Sequence, residues 1–294
     1  QTVNNGPSEK VGILPGDRIV TVNDTAIAGV KMERDEIVKR LRGPKGTVVC
    51  LGIVRRGYDE LLSFNVTRDK IPVNTLDAAY MIAPKVGYIK ISSFGATTHE
   101  EFSEALKKLK QEKMKHLILD LQGNGGGYLK AAVDMANDFL QGGQQIVYTE
   151  GNKSPYSAFN AEGKGQFQEG RLVVLIDEYS ASASEIVTGA VQDWDRGIVV
   201  GRRSFGKGLV QRPISLPDGA MIRLTVARYH TPSGRCIQKP YGEDIDYRKE
   251  LQERFNKGEM MHADSIHFPD SLKFQTKILG RTVYGGGGIM PDHF

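Results

Sequence analysis

Cysteine is scarce: only Cys50 and Cys236 occur in a chain of 294 residues. Two are too few for a disulfide framework, and they lack metal-ligand spacing, so they leave the redox compartment open. Long apolar runs are missing too, and none approaches the roughly 18 residues of a membrane span. There is no bias to one sign of charge. The net formal charge of +4 is small for this length, and bases alternate with acids in KKLKQEKMK and YRKELQERF, which speaks against a nucleic-acid surface. Repeats are absent, and low complexity is confined to glycine clusters at 125–127 and 285–288. The six histidines are scattered, and no local motif joins one to a serine and an aspartate, so none is assigned a role. The opening QTVNNGPSEK holds no signal-peptide pattern and reads as the middle of a longer chain. The ending GGGGIMPDHF also stops abruptly, and neither end testifies to export or anchoring.

The length fits one large domain, or a large one with a small companion. From Gly6 to about Asp69 the pattern is β-rich, with strands expected at 17–22, 48–54 and 61–66 and a short helix at 35–41. The strings GPSEKVGILPGDRIVTVND and LRGPKGTVVCLGIVRR resemble a PDZ domain, a family that binds peptide C-termini by adding them to a sheet edge. The resemblance starts late, because the strand and loop that carry the carboxylate site would precede Gln1. The alternative is a β-module that only spaces domains. Pro72 and the polar residues after it mark a boundary, giving domains at 1–70 and 71–294. Beyond it strands and helices alternate: strand 86–91, helix 98–111, strand 117–121, helix 129–140, strand 172–176, a helix opened by SASASE, then strands at 197–200 and 221–229. This predicts an α/β core. The polar stretch at about 239–282, with a helix expected over 247–255, reads as an insertion that faces solvent rather than as a lid.

Chemistry concentrates between Ser180 and Gln211. Ser180, Ser182 and Ser184 stand at a helix N-terminus, where a serine is ordinarily a cap. Here the helix follows an apolar strand ending at Asp177, so the turn can lift a hydroxyl above the sheet edge beside exposed amides that favour an oxyanion. Lys207 lies between Gly206 and Gly208, which allow close backbone approach, with Phe205 and Leu209 as an apolar wall that disfavours an ammonium. A lysine can act as a base only when unprotonated. Gly201, Gly206 and Lys207 also match the spacing of a phosphate-binding G-x-x-x-x-G-K-[ST] loop. That reading fails at Gly208, which has no hydroxyl for magnesium, and at Pro213 and Pro217, where a helix should run. LILDLQGNGGGYL lacks dinucleotide spacing, because Tyr128 takes the third glycine's place. Its amides can instead serve an oxyanion or simply make a tight turn.

These motifs, with VGYIKISSF, LTVARYHTPSGRCIQ and a terminal GGIMPD, resemble the carboxyl-terminal processing proteases, Ser/Lys endopeptidases with a PDZ domain before the catalytic core. The resemblance implies Ser182 as nucleophile, Lys207 as base at the separation the family requires, and Gln211 to orient the lysine amine. Residues four apart on a straight strand are roughly 13 Å from each other, so that last contact needs a bend, which Gly208 permits. The implied oxyanion donors are the amides of Ala183 and Gly126. The sequence departs from the family at Gly125, where proline is usual. Also implied are a crotonase-like (ClpP-like) core of β-β-α units behind an N-terminally incomplete PDZ domain, no metal or organic cofactor, protein C-terminal tails as substrates, and the periplasm or cell envelope. Homo-oligomerisation is left open. A second reading is a catalytically silent peptide-binding scaffold on the same fold.

Overall fold

The computed structural model describes residues 2, 6–71, 74–240 and 249–294. It divides the chain into two compact units, Gln1–Val73 and Asn74–Phe294, against the 70/71 boundary read from the sequence.

In the first unit, α1 (Pro7–Lys10) leads to β1 (Arg18–Val22) and β2 (Thr25–Ala26), and α2 (Arg34–Leu41) precedes β3 (Val48–Val54) and β4 (Leu62–Thr67). The strands form an antiparallel sheet in the order β2-β1-β3-β4. Alternation puts Val49, Leu51 and Ile53 of β3 on the buried face with Val22 and Val66, because successive side chains of a strand point to opposite faces. The Leu14–Asp17 turn is fixed by Arg55, whose Nε and Nη2 donate to Asp17 Oδ1 and Oδ2 at 2.8 and 2.7 Å. Leu14 N adds a third bond to Oδ2 at 2.8 Å.

The Arg55 guanidinium beside Asp17 and the Leu14 amide hold that carboxyl down at about 2. A carboxyl depressed by folding stabilises the unit above its unfolded value near ~3.9, and that contribution is lost as pH falls through the folded value. Acid melts between about pH 4 and pH 2 should therefore show this unit losing stability more steeply than its Asp17→Asn variant; parallel curves would refute the linkage.

The second unit is built on near-continuous apolar strands, as expected where both faces of a parallel sheet are covered. β5 (Leu76–Ala83) and β6 (Val86–Ile91) are antiparallel, and β6 then runs parallel to β7 (His116–Asp120), β7 to β10 (Leu172–Ile176), and β10 to β11 (Ile198–Gly201). The sheet order is β11-β10-β7-β6-β5. α3 (Thr98–Gln111) presents Phe102, Ala105, Leu106 and Leu109 to the core, the spacing of one helical face. α4 (Leu129–Asn137) ends before the expected residue 140. Every residue of α5 (Ala183–Asp193) is buried, which marks it as the central helix. A second sheet, ordered β12-β13-β8-β9, combines β8 (Gln145–Gly151), β9 (Ser154–Asn160), β12 (Leu209–Ser215) and β13 (Met221–His230). β12 is its edge strand, a position that tolerates Pro213. None of the helices among the described residues is long and apolar enough to cross a membrane.

Most described residues of the stretch expected to face solvent are exposed or half-buried, but a few of its charged side chains are buried against the 202–206 loop. The stretch holds α6 (Glu250–Asn256) and β14 (Lys273–Gln275), which pairs with β15 (Thr282–Tyr284). Residues 247 and 248 of the expected helix lie outside the described residues. Arg254 is 2% exposed and donates to Ser204 O and Arg203 O at 3.1 and 2.6 Å. Lys239 donates to Glu250 Oε2 at 2.9 Å and stands 3.8 Å from the Phe205 ring centroid. Arg203 reaches Glu259 at 2.5 Å. Arg254 of the stretch thus packs on carbonyls of the 202–206 loop, while Arg203 of that loop reaches Glu259 of the stretch, and a guanidinium fork satisfies more than one acceptor at once.

Candidate active site

Three adjacent parallel strands end on the same edge of the first sheet, and the carboxyl end of each opens into one of the loops singled out in the sequence. β7 leads to 121–127, β10 to 177–182 and β11 to 202–208. Open α/β sheets commonly assemble sites at such ends.

The first two loops are knitted together. Asp177 accepts from Gly123 N at 2.9 and 3.0 Å and from Tyr179 N and Ser180 N at 3.0 Å. Asn124, fully buried, receives Ala181 N at 3.0 Å and Ser184 Oγ at 2.9 Å on its carbonyl. Its Nδ2 donates to Ile91 O at 2.9 Å, and its Oδ1 accepts from Gly126 N at 2.9 Å.

The same network separates the three serines. Ser180 Oγ donates to Leu121 O at 2.8 Å and Ser184 Oγ to Asn124 O, and both residues are 0% exposed. Ser182 is half-buried, and its hydroxyl donates to no carbonyl among the described residues. It precedes α5 with φ 57°, a backbone region that L-residues rarely occupy outside functional turns.

Gly126 has φ +93°, and a side chain there would meet Ala181 O at 2.6 Å, Ser182 Cβ at 2.8 Å and Ala183 N at 2.9 Å. The glycine is therefore required twice, for its conformation and for the close approach of the 121–127 loop to Ser182. Ala183 is the first residue of α5, so its amide lies outside the helix's own ladder. Gly126 N is already engaged by Asn124 Oδ1. A side chain at Gly125 would meet nothing within 4 Å, so there is open space where the resemblance expects proline.

Lys207 is half-buried, and its amine has no hydrogen bond or ion pair among the described residues. Its backbone is tightly held: Lys207 N donates to Glu185 Oε2 at 2.8 Å, Gly206 N to Glu185 Oε1 at 2.7 Å and Ser204 Oγ to Oε1 at 2.5 Å. Ser182 N donates to the same Oε2 at 2.8 Å. Two donors on one oxygen put the Ser182 and Lys207 nitrogens within about 6 Å of each other. Burial pushes the Glu185 carboxyl above its ordinary range, opposed by these four donors.

Gln211 lies exposed on β12, paired with Thr225, and a bulge interrupts the ladder between Val210 and Gln211. The bulge bends β12 at 210–211, and a side chain at Gly208 would stand 2.7 Å from Gln238 N, so that glycine is needed for close approach of the 238 backbone. Among the described residues no hydrogen bond joins the Gln211 carboxamide to Lys207.

The sequence reading missed Glu185 and Asn124. The S-x-x-E spacing from Ser182 to Glu185 is a helix-start signal that could have flagged the first. Nothing local flags the second.

The model of peptidase family S41 matches residues 85–247, more than half of the chain. The chain belongs to this family. A PDZ-domain model matches residues 2–55 of the same chain. The S41 member is 38% identical over 236 residues to a carboxyl-terminal-processing protease of Synechocystis sp., covering 79% of this chain and 54% of the relative. It is 37% identical over 238 residues to the carboxy-terminal processing protease CtpB of Bacillus subtilis, covering 79% and 48%. A solved photosystem II D1 C-terminal processing protease matches at 32% identity and a TM-score of 0.51 over 80% of this chain and 64% of that one. The S41 chain thus has a mixed α/β peptidase fold with a PDZ domain, and spans about half the length of the curated relatives it matches.

Proposed function

We propose that this S41 member is a serine endopeptidase that cleaves proteins near their C-termini through a Ser/Lys acyl-enzyme. The observation that carries the reading is the shared acceptor: one buried carboxylate oxygen takes the amides of both Ser182 and Lys207. An accessible hydroxyl and an uncommitted amine therefore project from neighbouring backbone, the requirement for a nucleophile and its base. In this mechanism the unprotonated Lys207 amine accepts the Ser182 proton as Oγ attacks a peptide carbonyl. The amides of Gly126 and Ala183 stabilise the oxyanion, the proton passes to the leaving amine, and water then releases the acyl group. Gln211 would orient the lysine amine, which requires its carboxamide to turn in from the surface.

The succession β5–β6–α3 supports reading the core as crotonase-like (ClpP-like). The PDZ match and the relatives' names support protein C-terminal tails as substrates, with the PDZ unit engaging them. We place the protein in the periplasm or cell envelope by the same family resemblance.

The test uses the full chain with a fluorophosphonate probe and an unstructured polypeptide. A covalent adduct on the peptide containing Ser182, with cuts clustered near the polypeptide's C-terminus, is expected. Cleavage without an adduct, or an adduct on another residue, would overturn the mechanism.

A further inference from the structure

Outside the proposed catalytic groups, one buried titratable side chain touches both halves of the site. Glu185 is 1% exposed, stands in the first turn of α5, and makes all four of its contacts with donors. Oε2 accepts from Ser182 N and Lys207 N; Oε1 accepts from Gly206 N and Ser204 Oγ. The rest of the lysine loop is fixed by contacts that do not involve Ser182, such as Ser204 N to Ile289 O at 3.0 Å and Arg254 to Ser204 O at 3.1 Å. Phe205 N adds a bond to Ser180 O at 2.9 Å. Only the Glu185 carboxylate ties Lys207 itself to Ser182 itself among these bonds.

We infer that Glu185 is a positioning residue, a bidentate carboxylate strap that sets the Lys207 amine against the Ser182 hydroxyl by gripping both backbones. This inference rests on the Ser/Lys reading above. The chemistry makes the strap specific for a carboxylate. A carboxamide of the same size offers one acceptor oxygen and turns an NH2 group toward donors, so a pair of the four bonds becomes donor against donor. An aspartate keeps the charge but is one methylene shorter, and cannot reach across to both amides from the same helix position. Because the strap acts on geometry rather than on substrate binding, its loss belongs in kcat and not in KM.

The experiment compares Glu185→Gln and Glu185→Asp with the parent full chain. Glu185→Gln should keep KM within about threefold and lower kcat on the order of 100-fold, the scale set by an ångström of misplacement. The fluorophosphonate labelling rate of Ser182 should fall in parallel. A second readout uses alkylation of the thiol in Ser182→Cys, whose pH profile reports the neighbouring lysine amine. Adding Glu185→Gln should move that profile toward the ordinary thiol value near ~8.5. If Glu185→Gln does not fold, Glu185→Asp carries the test, with kcat lowered at least about tenfold in protein that still melts cooperatively. Parent kcat in either folded variant, or an unmoved thiol profile, overturns the strap. Retained cleavage in Ser182→Ala would instead overturn the Ser/Lys reading, so the two failures are distinguishable.

Discussion

Ser182→Ala should fold as the parent does and lose cleavage of an unstructured polypeptide by on the order of 10⁴-fold or more, the scale seen when a hydrolytic nucleophile is removed. The structure gives a reason for the separation of effects. The Ser182 hydroxyl supplies no hydrogen bond to a carbonyl, whereas its amide, which Ala retains, donates to Glu185. Ser182 is also the N-cap of α5 in a capping box with Glu185, so stability should fall by about 1 kcal/mol, the ordinary cost of losing a cap. The neighbours should lose stability but keep the nucleophile. Ser180→Ala and Ser184→Ala each remove one of the two donors on a buried carbonyl, which keeps its main-chain donor, and Ser180→Ala also takes from Asp177 N its Ser180 Oγ acceptor, so each should cost about 0.5–1.5 kcal/mol in stability. Lys207→Ala should match Ser182→Ala in activity, because the loop is held through the Lys207 amide and not the amine. Rates from product peptides, beside thermal melts, decide the matter. Wild-type cleavage by either variant would remove the Ser/Lys assignment.

The largest loss of stability is expected from Arg235→Ala. Arg235 and Asp193 form an ion pair at 2.7 Å with both side chains 0% exposed. Arg235 also donates to Gln192 Oε1 at 2.8 Å and Tyr284 O at 3.0 Å, which joins the end of α5 to β15. Asp193 in turn accepts from Ser233 N at 2.8 Å. Removing the guanidinium alone leaves a carboxylate buried with one main-chain donor, and such a broken pair costs about 3–5 kcal/mol. For a unit of this size that is a drop of roughly 10 °C in melting temperature. Replacing both partners, as in Arg235→Met with Asp193→Leu, should recover much of the loss, because neither charge then needs solvation. Urea melts of the single and double variants provide the cycle; a double variant weaker than the single one would refute the account.

The α/β core was legible because its parallel strands, such as LVVLI and LILD, are apolar throughout and the helices between them keep a 3.6-residue period. The strands the sequence did not reveal are those with mixed faces. β8 and β9 alternate irregularly, β5 is an edge strand with Tyr80 and Ile82 exposed, and β12 contains Pro213. The buried charges of the 239–282 stretch went unseen for a related reason. Periodicity records which residues are charged, not whether carbonyls wait to receive them, and Arg254 is buried because Arg203 O and Ser204 O do. At the site, spacing alone left three serines, and only a family resemblance chose Ser182. The folded chain gives an independent physical distinction, since two of the three hydroxyls are consumed by backbone. Glu185 escaped notice because an acid in the first turn of a helix ordinarily answers the helix dipole. Its second role depends on a loop that begins nearly twenty residues later.

Asn124 gives the resting site a competitor of its own. Its Oδ1 holds the Gly126 amide, the group proposed to receive the scissile carbonyl, so a substrate gains that contact only by displacing an acceptor already in place. The rest of Asn124 cannot follow a departing side chain, because its carbonyl anchors Ala181 and Ser184. Part of each encounter is therefore an exchange of one acceptor for another, with little net gain from a carbonyl that docks weakly.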